Sequence, residues 1–526
     1  MTPRTSHRIA LPRTAASLLV LCVLLSVSLA AQAPTAGEQR TIRAFDEAKK
    51  NPLALRDFLQ GMPKGGDLHM HLSGAVYAET FLAEAIKQNL CVDSATLDLT
   101  SPPCNKPILP ATELLTDQKL YDKLINAFSM RSFVPYAGWN GHDQFFSTFS
   151  RWGALERSAA GEWLDEVATR AAEQNEQYLE IMQTPSFGHA ASLGYKIGWP
   201  KDSANDVTPA TLASLRDKLL AAGLRDEVSV DMKELADAKT KRSEIEGCGL
   251  LPPVKTEACS IQIHWLYQVL RGFPPQQVFA QTLLGFEVAS ADPDVVGINF
   301  VMPEDGRVSM QDYHLQMQML DYLHSVYPKV HISLHAGELS PGMVTPEGLK
   351  FHIREAVDLG HAERIGHGVD VMYEDHPRDL LKELAAKHIM VEINLTSNDV
   401  ILGIKGDEHP LSFYRAAHVP WALSTDDEGV SRIDLTHEYE KAVEEQGLTY
   451  LDLKQSARTS LEHSFIPGAD LWSSPDDFTH RIAACAAPIS PTSQPSPSCV
   501  AFLKSNDRAA AQWELEHRFA IFEASH

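Results

Sequence analysis

The sequence predicts an α/β fold, a (β/α)8 barrel of the TIM type, on three observations. Eight short apolar runs stand at 66–72, 177–182, 260–265, 295–302, 331–336, 364–367, 390–396 and 421–424, each about the length of a buried strand. Stretches with helical periodicity, 310–327 and 378–387 among them, separate most of these runs. Such alternation calls for parallel strands joined by crossover helices, and eight units favour a closed barrel over an open sheet. The chemically interesting side chains fall at the C-terminal ends of the runs, the rim on which a barrel of this kind builds its site.

The remaining segments do not fit an eightfold count. Residues 1–30 read as a cleaved signal peptide: Arg4, Arg8 and Arg13 form a basic start, and 15–30 is apolar but too short to span a bilayer. Ser28-Leu29-Ala30 supplies a small-x-small cleavage site, with Ala31-Gln32-Ala33 a weaker one because Pro34 follows. Leu21 before Cys22 argues against a lipoprotein site. The expected location is secreted or periplasmic, with no membrane attachment after cleavage. Residues 31–61 form a helical arm, and 62–470 the barrel domain. Two insertions interrupt it. Residues 91–115, with Pro102, Pro103, Pro107 and Pro110, read as a loop, and 186–258 is long, mixed and expected on the rim. Whether that second insertion is a lid or a dimer contact is open, as is a homodimer. The C-terminal extension, 471–526, holds a Pro- and Ser-rich irregular loop at 486–498 and a helix at 507–524.

Composition narrows the function. Across 526 residues the formal charge is −23, which disfavours binding to nucleic-acid phosphates, and 44% hydrophobic residues allow a large core. Beyond Cys22 there are six cysteines in three local couples, Cys91–Cys104, Cys248–Cys259 and Cys485–Cys499. Each closes a short polar stretch, so three disulfides in an oxidising compartment are expected. No C-x-x-C spacing occurs, which removes a cysteine-based metal site.

Four clusters carry chemistry. In Asp67-Leu68-His69-Met70-His71, the histidines are two apart on a strand, face the barrel mouth together, and make a bidentate metal clamp. In His335-Ala336-Gly337-Glu338, a third imidazole can complete a metal face, with a carboxylate near enough to act as acid or base. In Ile365-Gly366-His367-Gly368, glycines allow close approach and set a ring over a cavity, as a base or an orienter of water. In Ser424-Thr425-Asp426-Asp427, adjacent carboxylates repel unless a cation or proton lies between them, so Asp426 can ligate a metal while Asp427 reads the substrate. Each alone is an ordinary strand-end turn; together they form a metal-hydrolase inventory on one rim.

These strings resemble the adenosine deaminase family of metal-dependent hydrolases. Met62-Pro63-Lys64, Leu72, Gly74, Leu435-Thr436-His437-Glu438-Tyr439 and Ser460-Leu461-Glu462-His463-Ser464-Phe465 add to the likeness, which runs from about 62 to 470. The signal peptide and insertions bring it nearest the secreted, growth-factor-type members. The resemblance implies one Zn2+ per chain, held by His69, His71, His335 and Asp426. It implies hydrolytic deamination of adenosine or 2′-deoxyadenosine to an inosine-type product and ammonia, a cyclic-amidine C–N hydrolysis by zinc-activated water at purine C6. His367 is implied as the residue orienting that water, Asp426 as its proton acceptor, Glu338 as the acid at N1, Asp427 as the partner of N7 and Gly337 as a substrate contact. Glu338 must then be protonated, which requires a raised pKa in a desolvated pocket.

The chain departs from the family pattern in three places. Ser73 stands where many members place an Asp at the ribose, Met302 stands where a Gly near purine N3 is usual, and Glu392-Ile393-Asn394-Leu395-Thr396-Ser397-Asn398 lacks the frequent Cys-Pro. These changes leave the sugar or other N9 substituent open. The alternatives are a deaminase of another aminopurine, a secreted binding or signalling protein with a vestigial site, and, by fold analogy only, an ester or phosphate hydrolase.

Overall fold

The computed structural model describes residues 34–201, 206–250 and 256–526; the expected signal peptide and Cys22 lie outside them. Eight strands form one parallel sheet in sequence order: β1 (Gly65–His71), β2 (Glu176–Gln183), β3 (Gln262–Leu270), β4 (Val295–Val301), β5 (His331–Ala336), β6 (Arg364–His367), β7 (Met390–Ile393) and β8 (Trp421–Leu423). Past β8, Asp426 N–H donates to the His69 carbonyl (2.8 Å), and His71 N–H to the Asp426 carbonyl (3.3 Å). Those two bonds pair Met70 with Asp426 and close the sheet into the expected barrel. The strands are buried almost throughout, as parallel strands between an inner core and an outer helical ring must be. No described helix is long and apolar enough to cross a membrane.

Two strands differ by more than one residue at an end from their sequence-based bounds. The run at 260–265 becomes β3, Gln262–Leu270, because Ser260 ends a short 3-10 turn and the strand runs on through polar Gln268. The run at 390–396 stops at Ile393, and a helix, Leu395–Leu402, takes over at once. Thr396, Ser397 and Asn398 are buried in that helix, so burial there reflects polar bonding rather than apolar packing.

The insertion expected as a loop at 91–115 is more ordered than its prolines suggested. Cys91–Asp93 pairs antiparallel with Leu99–Thr100 and Ile108–Pro110, followed by a 3-10 turn, Ala111–Leu115. The prolines sit between and at the ends of strands, where no ladder donor is lost. The 186–258 insertion holds the helices Gly188–Ile197, Pro209–Ala221 and Val228–Glu246. The first packs on the helix Pro275–Ala291 and the last on Ala160–Glu173, so the insertion thickens the outer ring. All three cysteine couples are disulfides, with Cα separations of 5.5, 5.6 and 4.7 Å. The irregular loop ends one residue before Pro497, which opens a short helix capped by Ser496.

The N-terminal arm folds as two helices, Ala36–Ala48 and Pro52–Gly61, and the C-terminal extension ends in the helix Asp507–Ser525. Buried Lys454 ties both to the barrel helix Tyr450–Glu462 by donating to Glu38 (2.9 Å) and Glu523 (2.6 Å). Lys64 caps the arm by donating to the carbonyls of Leu59 (2.6 Å), Met62 (3.1 Å) and Gln174 (2.7 Å). Burial pushes its pKa down, and those three carbonyls are what keep the amine satisfied.

Inside the barrel, Arg364 spans three strands. Its guanidinium donates to Glu180 on β2 (2.7 Å) and Glu392 on β7 (2.7 Å), and it lies 3.9 Å over the Phe465 ring. All three charged groups are fully buried, so removing one leaves an uncompensated charge. Arg364→Met is expected to lower unfolding stability by about 3–5 kcal/mol in urea titration. A loss under about 1 kcal/mol, the scale of an exposed pair, would mean the triad does not hold the barrel.

Candidate active site

The site begins with Asp67, whose carboxylate accepts from His69 N–H (3.1 Å), Thr425 N–H (3.0 Å) and the Thr425 hydroxyl (2.6 Å). Those bonds stitch β1 to the segment after β8 beside an irregularity in the β1 pairing between Asp67 and Met70. As a result His69, His71 and Asp426 face one another across the barrel seam. Nε2 of His335, at the end of β5, lies 3.1 Å from Nε2 of His69 and 3.2 Å from Nε2 of His71. Oδ1 of Asp426 lies 3.3 Å from Nε2 of His71 and 3.6 Å from Nε2 of His69.

Each imidazole is aimed by its other nitrogen. Nδ1 of His69 meets Glu392 (2.5 Å), Nδ1 of His71 meets Gln268 (2.7 Å), and Nδ1 of His335 meets Asn299 (2.7 Å). With the three Nδ1 atoms occupied, the Nε2 lone pairs converge with a carboxylate oxygen on one point. Burial opposes a charge on His69, yet its bonds to Asp426 and Glu392 outweigh that and raise its pKa to about 10. His335 is driven the other way, by burial and by the neighbouring imidazoles. The three imidazoles of His69, His71 and His335 and the carboxylate of Asp426 fit a divalent metal ion, with Glu392, Gln268 and Asn299 holding the rings from behind; His367 lies close enough to form an alternative grouping with His69, His335 and Asp426.

His367 sits beside this centre. Asn398 Nδ2 donates to its Nδ1 (2.9 Å), while Asn398 Oδ1 accepts from His409 Nε2 (3.1 Å) and Leu411 N–H donates to His409 Nδ1 (3.2 Å). The chain of donors starts at a backbone amide, so it fixes the tautomer of each ring in turn. It leaves His367 Nε2–H as a buried donor without a protein partner, 3.8 Å from Glu338 and 3.9 Å from Asp426. Burial lowers the His367 pKa to about 3, so the ring is neutral.

Glu338 is buried, and its pKa is pushed well up by desolvation first and then by the carboxylates of Asp426 and Glu304. Glu304 is among the residues sequence reasoning missed. Its carboxylate accepts from the amides of Gly337 (3.0 Å) and Glu338 (2.8 Å) and pairs with His352 Nδ1 (2.5 Å). Burial opposes its charge, but His352 and Arg271 outweigh that and hold its pKa at about 2. It is thus a fixed negative charge beside Glu338. Its only sequence signal was an acid three residues past an apolar run, in Val301-Met302-Pro303-Glu304.

Together these groups floor a 660 Å³ cavity at the C-terminal ends of the strands, lined in part by His71, Ser73, Met302, His335, Glu338, Asp426 and Asp427. The expected residues are thereby brought together, with His69 and His367 lying deeper. Gly337 differs from expectation: its left-handed backbone (φ 76°) turns the amide to Glu304, and it is not among the lining residues. Asp427 Oδ1 is buried without a protein partner, and burial beside Asp426 pushes its pKa up. Gly74 makes room for it, since a Cβ there would fall 1.4 Å from Asp427 Oδ1. Met302, His367 and Asp426 all hold left-handed backbones (φ 92°, 69° and 60°), a strain of roughly 1–2 kcal/mol each that marks a functional rim.

Comparison with known proteins places this geometry in context. Residues 254–471 match a family model described as adenosine deaminase. An adenosine deaminase from Shewanella loihica is 36% identical over 140 residues, 26% of this chain and 39% of the relative. One from Salmonella dublin is 39% identical over 137 residues, 26% and 38% respectively. The chain thus spans about two fifths of the length of the curated relatives it matches. Among solved structures, the N6-mAMP deaminase of Arabidopsis superposes with a TM-score of 0.51 at 21% identity, covering 78% of this chain and 96% of that one. A Burkholderia amidohydrolase solved with bound Zn gives 0.50 at 17%, covering 78% and 88%. At these identities the structural likeness establishes the barrel alone.

Asp426→Ala is expected to abolish stoichiometric metal, read by elemental analysis after dialysis; full retention would remove Asp426 from the ligand set. Asn398→Asp offers His367 Nδ1 an acceptor in place of a donor and so flips the ring. It is expected to keep the metal and the thermal melt while costing about 10²–10⁴ in turnover. Unchanged turnover in that variant would show that the tautomer does not matter.

Proposed function

We propose, from the match of residues 254–471 to the adenosine deaminase family model and the partial likeness to curated adenosine deaminases, that this chain hydrolytically deaminates an aminopurine nucleoside, adenosine or 2′-deoxyadenosine, to the inosine-type product and ammonia. The observation that carries this reading is a carboxyl group held protonated beside a metal-binding donor set, at the floor of one cavity. A neutral acid beside the metal suits protonation of a ring nitrogen, whereas an ester or phosphate hydrolase on the same barrel has fold analogy alone behind it.

His69, His71, His335 and Asp426 would hold zinc, which supplies Lewis acidity and makes water a nucleophile near neutral pH. Glu338, kept neutral by burial and by the charge on Glu304, gives its proton to N1 as addition at C6 places electrons on the ring. His367 enters as a donor, because its Nε2–H has no protein partner and lies 3.8 Å from Glu338 and 3.9 Å from Asp426, and it orients the attacking oxygen. Asp426, 3.9 Å from His367 Nε2, takes a proton from the water and passes it to the departing amine. The second water proton restores Glu338 once the new carbonyl forms. Asp427, neutral by the same crowding, donates to N7.

The three disulfides support an oxidising, extracytoplasmic setting, in line with the signal peptide expected at 1–30. That setting, with the insertions, keeps the growth-factor-type members the nearest subgroup in this reading.

Glu338→Gln is expected to retain metal and lower kcat by about 10²–10⁴, followed by loss of adenosine absorbance. In the wild type, activity requires the protonated form of a group whose pKa is raised. It should therefore persist through neutral pH and fall as pH rises through that value; an alkaline limb unchanged in Glu338→Gln would exclude the group as the acid.

A further inference from the structure

The outer half of the cavity differs in character from its floor. Phe146, Phe149, Leu270, Phe273, Met302 and Pro303 line it, and the uncharged polar side chains of the lining are Ser73, Ser150 and Gln268, the last turned to His71. Among the described residues no Lys or Arg lines the cavity. Arg271 lies nearby but is fully buried, donating to the His335 carbonyl (3.2 Å) and paired with Glu304 (3.8 Å). The carboxyl groups of Glu338, Asp426 and Asp427 line its floor.

Two features fix this apolar wall in place. The helix Gly141–Thr148 carries Phe146 and leads into Phe149, and His142 on it bonds Asp305 (3.0 Å), just past Met302 on the opposite wall. Met302 itself holds a left-handed backbone, φ 92°, that side chains rarely adopt. Its sulfur accepts from Gly272 N–H (3.3 Å), and a Cβ on Gly272 would come within 2.7 Å of the Met302 methyl carbon. A glycine on one loop thus forms the slot for a methionine on the next, and Met302, 37% exposed, lines the cavity.

The geometry points to a substrate that is uncharged and apolar beyond N9: a neutral aminopurine nucleoside bearing a group such as a 5′-alkylthio, with nucleoside monophosphates rejected. This rests on the deaminase reading, in which C6 lies at the metal and N9 faces the mouth. A phosphate placed there would meet phenyl rings and a thioether in place of cations or amides, with carboxylates below it, and would lose its hydration without compensation. An alkylthio group would lie against Met302 and the phenylalanines and leave water. Met302 is the specificity-determining residue of that wall.

The test compares kcat/KM for adenosine, 5′-deoxy-5′-methylthioadenosine and AMP on the metal-loaded protein, with titration calorimetry of the products 5′-deoxy-5′-methylthioinosine and IMP. The methylthio nucleoside is expected to match or exceed adenosine, with AMP at least about 100-fold poorer. Met302→Gly, which suits the backbone and so should fold, is expected to cut the methylthio-to-adenosine ratio by about tenfold. AMP within about tenfold of adenosine, IMP bound as tightly as the methylthio product, or a ratio unmoved in Met302→Gly would each overturn the assignment. Binding of the methylthio product but not IMP by a protein that deaminates nothing would overturn the deaminase reading, and the substrate assignment with it, while supporting the wall's selection of uncharged apolar ligands; binding of neither overturns that selection.

Discussion

A buried carboxylate on β7, Glu392, joins the stability of the barrel to the geometry of its rim. One oxygen takes the Arg364 guanidinium at 2.7 Å and the Ser333 hydroxyl at 2.9 Å, and the other meets His69 Nδ1 at 2.5 Å. Arg364 in turn reaches Glu180 on the far strand. Burial would drive Glu392 neutral, but Arg364 and His69 outweigh it and hold its pKa near 2. The same charge that satisfies the arginine in the core fixes which nitrogen of His69 is free at the rim. The metal-binding geometry therefore inherits the rigidity of the barrel instead of depending on loops.

Charge at the rim is arranged in pairs pushed apart. Glu304, fastened to two amides, His352 and Arg271, is anionic, and Glu338 beside it is neutral. Asp426, among imidazoles, is anionic, and Asp427 next to it is neutral. Each pair converts mutual repulsion into one fixed charge and one proton donor, the division of labour that acid-assisted hydrolysis requires. The neutral members are the two that face the cavity unencumbered by protein donors.

Much of this was legible in the sequence, for definite reasons. The strand pattern survived because parallel strands are buried on both faces and read as apolar runs, and His69, His71, His335, Glu338, His367, Asp426 and Asp427 stood out because each lies within three residues of the end of such a run. The supporting groups did not. Gln268, Asn299, Glu304, Glu392, Asn398 and His409 are polar residues inside or just beyond strands and helices, and nothing in their local spacing separates them from solvated ones. The 91–115 insertion read as a loop because its prolines mask three very short strands.

The sequence by itself determined the barrel, the cysteine couples and the inventory of ligands and acids, because these follow from periodicity, spacing and residue chemistry. The tertiary structure alone decided which charges are ionised, which tautomer His367 holds, that the Gly337 amide is committed to Glu304, and that Met302 meets Gly272 across the mouth. Those depend on distances between residues far apart in the chain and on how much water burial removes, and neither is written in any local stretch of sequence.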